Sequence, residues 1–180
     1  MATDMAQLRR EIEAAFASVP YPGDDGIVGH KCWECDEVLA KYKGKRWQDY
    51  KDRPLTLVGP PYRDACMLFT PQAFRYYAPL AMLASAESYQ EADMLIDYFL
   101  GSLAPTDGKH AAKHEARLTA FTPAELRALL SFLAFMKERH PLDYATGPDN
   151  EEVVSLEKAI TTRLGVTEMR GENAPPGAKE

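Results

Sequence analysis

The sequence predicts a mainly α fold: a single compact helical domain of about five to six helices, with at most one short β-hairpin near 54–69. Three observations predict it. Apolar residues recur at helical spacing along most of the chain. Two segments, "FTPQAF" at 69–74 and "FTPAEL" at 121–126, carry the local chemistry of a helix start. Only one stretch, "PLTLVGPPYRDACMLF" at 54–69, has the composition of extended structure.

The elements follow in order. Leu8, Ile12, Ala15, Phe16 and Val19 form one stripe of a first helix, with Thr3 or Asp4 as its cap. The run "PYPGDDG" then breaks the chain, and a second helix is expected over about 32–43, ending near Gly44. Trp47 and Tyr50 lie in a short turn. Thr56, Leu57 and Val58 favour extended backbone, and "GPP" demands a turn after them. Thr70 and Thr122 are placed to cap free backbone N–H groups, each followed by a proline at the first helical position. Glu125 completes a capping box with Thr122.

The helix from Pro71 is expected to reach about Ala84 and to kink at Pro79, which has no N–H to donate. A helix over about 86–103 follows, then a polar loop with a helical turn at 104–120. The apolar helix 123–139 is expected to be central, and a last helix covers about 150–164. Residues 1–165 make the domain, and 166–180 has the composition of a disordered C-terminal tail. The two helix starts share too short a window to define a repeat.

Composition narrows the function. At 180 residues, 46% hydrophobic and 27% charged, the chain is long enough to bury a core without staples. A net charge of -6 argues against nucleic-acid binding, which needs a basic footprint. No apolar run is long enough to span a membrane, and three cysteines fit a reducing cytoplasm. A cytoplasmic setting is expected. No Gly-x-Ser-x-Gly elbow, P-loop, His-Glu-x-x-His or dinucleotide fingerprint is present, so no catalytic residue is assigned.

"YPGDDGIV", "KGKRWQDY", "FTPQAFRYYAPLAMLA" and "FTPAELRALLSFLAF" together resemble a family of small bacterial proteins known only as a domain of unknown function. Its hallmark is a Thr-Pro-x-Ala-Phe-Arg-Tyr-Tyr-x-Pro helix, represented here by Thr70 to Pro79. The resemblance covers about residues 10–140. It implies a bacterial source and a stand-alone domain, and it implies no activity.

Four groups of residues carry chemistry. "HKCWEC" holds Cys32 and Cys35 at a spacing that supplies half of a zinc site; His110 and His114 are candidates for the other half, and His30 for a third ligand. Redox use of the pair is disfavoured by Glu34, Asp36 and Glu37, which oppose a thiolate, and the plainer alternative is core packing. Arg75, Tyr76 and Tyr77 beside Pro79 offer a fork of donors, stacking faces and hydroxyls for an anionic or planar ligand, or else simply pack. The basic, aromatic run 41–53 reads as a solvated face around a buried Trp47. Asp24, Asp25, Glu34, Asp36 and Glu37 form an acidic set suited to a basic protein partner.

The expected function is therefore a non-enzymatic protein-interaction domain, in the manner of an immunity or antitoxin protein, with no cofactor. The alternative is a metal-binding protein or small enzyme using Cys32, Cys35, His110 and His114 with zinc, or a ligand cleft at Arg75, Tyr76 and Tyr77.

Overall fold

Capping chemistry sets the element boundaries of the computed structural model, which describes residues 4–147 and 150–172 (backbone alone from 166). Asp4 opens α1 (Met5–Phe16), its carboxylate accepting from the Gln7 N–H at 2.6 Å. Cys32 caps α2 (Trp33–Tyr42) through its sulfur. After the single turn of α3 (Leu55–Val58), Thr70 caps α4 (Pro71–Glu87), accepting from the Ala73 N–H at 3.1 Å. The short helices α5 (Tyr89–Ala92), α6 (Leu95–Gly101) and α7 (Ala111–Thr119) follow. Thr122 and Glu125 form the reciprocal capping box of α8 (Pro123–Arg139), and α9 (Pro141–Tyr144) and α10 (Asn150–Glu172) complete the order.

Ten α-helices, rather than five or six, and no β-strand occur among the described residues. Two local causes account for the difference. At 54–69, Pro54 takes helical backbone angles and the Thr56 hydroxyl donates to the Arg53 carbonyl at 2.7 Å. Burial of Leu57 and Val58 then rewards a helical turn over the extended form their propensity favours. A cis Pro60–Pro61 bond and a 3-10 turn at Ala65–Met67 occupy the rest, so the expected hairpin is absent. One isolated bridge, Val28 with Phe69, is all the β pairing present among the described residues.

The helix expected over 86–103 is split because Asp93 turns the chain with φ 51°. In the loop expected at 104–120, the nine residues of α7 are helical. The last helix continues to Glu172, and the remainder of the expected C-terminal tail, 173–180, lies outside the described residues.

The hub of the core is α4, where α8 was expected. It packs against α1, α3, α5, α6, α7 and α8, and it buries most of its length from Ala73 to Ser85, Pro79 included. Phe74 stacks on Phe99 of α6 at 5.3 Å, while Leu8, Ile12 and Phe16 of α1 fill the space toward α8. No single helix among the described residues is long and apolar enough to cross a membrane.

Candidate functional site

The amphipathic helix α2 presents two chemistries on two faces. Cys35, Val38 and Tyr42 are buried, while Trp33 is 70% exposed and Glu34, Asp36 and Glu37 face solvent. Successive residues turn by about 100° around a helix, so Trp33, Glu34 and Glu37 share one side and Cys32 and Cys35 lie round toward the other.

On the first side, Trp33, Glu34, Glu37 and Val38 line a groove of about 520 Å³ whose opposite wall carries Pro61, Asp64, Met67 and Leu68. Apolar and acidic groups line it together. Glu34, Glu37 and Asp64 form no ion pair with any described residue. Trp33 and Met67 are two of the few large apolar side chains left exposed.

The opposite wall is a loop, and four cationic side chains, one of them buried, hold it. Arg117 of α7 is 1% exposed, with no carboxylate against it; its guanidinium donates to the carbonyls of Cys66 (2.8 Å), Met67 (2.9 Å), Phe69 (3.3 Å) and Ser102 (3.2 Å). It also lies over the Phe74 ring at 4.7 Å. Burial lowers its pKa to about 10, so it keeps its charge at neutral pH. Lys113, one turn earlier, donates to the Met67 carbonyl at 2.6 Å. Arg63 reaches the Glu91 carbonyl and Asp93, and Lys41 reaches the Thr56 carbonyl while covering Tyr62. The sequence contains Arg117 in plain view, but nothing in its local context marks it as buried.

On the second side, the His30 Nε2, Cys32 Sγ and Cys35 Sγ atoms all lie within 4.8 Å of one another. Cys35 Sγ is 3.5 Å from His30 Nε2 and 2.9 Å from Cys32 Sγ, and all three cysteines of the chain are free thiols. Burial pushes the Cys35 thiol up to about 11, with Cys32 and Asp36 adding to the rise. That opposes nucleophilic or redox use at neutral pH. His110 and His114 do not join this group. They line a separate cavity of about 260 Å³ with Lys113, Arg117, Asp97 and Tyr98, and His114 Nδ1 is bonded to the Ala104 carbonyl at 2.7 Å.

The structure places Arg75, Tyr76 and Tyr77 in internal bonds. Arg75 makes a bidentate pair with Glu125, at 2.8 and 2.7 Å, which joins α4 to the capped start of α8. The Tyr76 hydroxyl donates to Gln48 at 3.2 Å, and the Tyr77 hydroxyl lies 2.9 Å from the Lys45 carbonyl. The space beside Tyr77 has a volume of about 10 Å³, enough for one water molecule. Within the acidic set, Asp24 accepts from the Tyr21 hydroxyl and the Gly44 N–H and pairs with Lys43, whereas Asp25 and Asp36 are exposed away from the groove. Trp47 is buried, as the sequence indicates for the basic run.

The sequence model of DUF6714, described as a family of unknown function, matches residues 4–147. No curated protein and no solved structure matches the chain.

Proposed function

We propose, from the premise that this chain belongs to DUF6714, a family of unknown function, that it is a protein-interaction domain whose groove takes a basic segment of a partner protein. The observation that carries this is the groove itself: Trp33, 70% exposed, beside three carboxylates that form no ion pair among the described residues. An exposed tryptophan face attracts guanidinium and ammonium groups, by about 0.5–1 kcal/mol at an open site. Glu34, Glu37 and Asp64 add Coulomb attraction, and Met67 and Leu68 receive the aliphatic stems of arginine and lysine. A net charge of -6 steers basic partners toward the chain as a whole. The immunity or antitoxin form of this function is the case in which the basic partner is a toxin, and it relies on the same complementarity.

The test is a fluorescence titration with an arginine-rich peptide, because Trp33 is exposed while Trp47 is buried and acts as an internal reference. Saturable quenching is expected, lost in W33F and weakened about tenfold in the triple variant E34Q/E37Q/D64N, as for several partly exposed charge pairs. Equal affinity for the triple variant and the parent protein would refute the groove.

A further inference from the structure

We propose that His30, Cys32 and Cys35 bind a thiophilic divalent cation, zinc in the first instance, with a fourth coordination position open to solvent. This goes beyond the groove, which lies on a different side of α2 and needs no metal.

The chain is folded so as to gather the three ligands. Ile27 accepts from the Thr70 N–H at 3.0 Å and Gly26 accepts from the Thr70 hydroxyl at 2.6 Å, so the segment leading into His30 is tied to the start of α4. Val28 pairs with Phe69 just beyond. Cys32 then occupies the N-cap of α2, where its sulfur accepts from the Cys35 N–H at 3.2 Å.

The distances fit a tetrahedral ion closely on one edge and with a small movement on a second, and the third, from His30 to Cys32, lies within 4.8 Å. Bond lengths of about 2.3 Å to sulfur and 2.0–2.1 Å to nitrogen put a sulfur–nitrogen pair about 3.5 Å apart and a sulfur pair about 3.8 Å apart. His30 and Cys35 already stand at 3.5 Å. Cys32 and Cys35 stand at 2.9 Å, so an ion requires the sulfurs to part by about 0.9 Å, a movement that falls to half-buried Cys32 rather than buried Cys35. His30 is exposed, which leaves the fourth position reachable by water.

The donor set selects the ion. Two thiolates and an imidazole suit zinc, cobalt(II) or cadmium over magnesium or calcium, which want oxygen ligands. On binding, each thiol gives its proton to solvent and no electron moves. The product, one divalent ion with two thiolates and a neutral imidazole, carries no net charge, which suits the buried position of Cys35.

Cobalt(II) chloride added to the reduced full chain is the test. A thiolate-to-cobalt charge-transfer absorption should rise to a one-to-one endpoint and be bleached by zinc chloride. C32S leaves one thiolate and should reduce the absorption, the double variant C32S/C35S should abolish it, and H30A should weaken cobalt binding about tenfold or more, at least the loss that an outer-shell partner causes. The double variant H110A/H114A should titrate like the parent protein. C32S and H30A alter partly exposed residues, so an unchanged circular dichroism spectrum will show that they fold. No charge-transfer absorption in the reduced protein would overturn the site. So would an absorption that survives C32S/C35S, or one that needs His110 or His114 in place of His30.

Discussion

Arg117 shows how much one residue can organise. A cation buried with no carboxylate against it is costly unless its donors are met, and here four backbone carbonyls meet the two terminal NH2 groups while Nε has no partner among the described residues. Truncation in R117M removes all four bonds, leaving Met67 held by Lys113 alone, and should cost about 2–4 kcal/mol in urea unfolding. R117K should recover little of it, because one ammonium cannot span the four acceptors that a planar fork reaches. Cys66 illustrates burial acting on a thiol: its pKa is pushed up to about 12, and it should resist alkylation at pH 8 in the native protein while Cys32 reacts. Labelling of Cys66 as fast as Cys32 would contradict the packing around α7. His140 stacks on Tyr89 at 3.7 Å, and burial lowers its pKa against the opposing pull of Asp143, with Arg139 adding to the lowering. The unfolded chain therefore takes up this proton first. The His140 contribution to stability is complete above about pH 6.5 and is lost as pH falls through its lowered value. Urea unfolding from pH 8 to pH 5 should show that slope, and H140Q should flatten it.

Among the elements, those with strong end signals were legible and those ended by tertiary packing were not. Helix α8 begins and ends where its capping box and apolar run predict, and T122A should cost about 1 kcal/mol by removing the cap. Glu125 does double service there, closing the capping box and receiving Arg75 while only 1% exposed. The break between α5 and α6 had no glycine or proline to announce it. Asp93 holds φ 51° and ψ -127°, a region costly for any residue with a Cβ. D93G should raise stability by about 1 kcal/mol, the relief of strain exceeding the loss of an exposed pair with Arg63. The turn at α3 departs from the extended form that Thr56, Leu57 and Val58 favour, because burial overrides their β propensity. Of the candidate site residues, Cys32, Cys35, Glu34 and Glu37 were readable from residue type and spacing. Asp64, Met67 and the clamp from Arg117 were not, since only the fold brings 61–68 beside α2.

At the scale of the whole molecule, α4 is a hub whose Tyr77 packs on Tyr42 of α2 and on Phe69 of the 60–69 loop, and α7 braces the loop from behind. The result is one acidic, partly apolar groove on a chain of net charge -6. Charges exposed at its edge are screened over about 8 Å at physiological salt, so affinity for a basic partner should fall as salt rises while the tryptophan contact persists. The measurement that tests the groove most directly is a nitrogen–proton NMR titration of the labelled chain with an arginine-rich peptide. The Trp33 indole N–H and the amides of 33–38 and 61–68 should shift together and saturate, while the Trp47 indole stays still. Shifts spread evenly over the acidic surface, or confined to other residues with Trp33 unmoved, would contradict it.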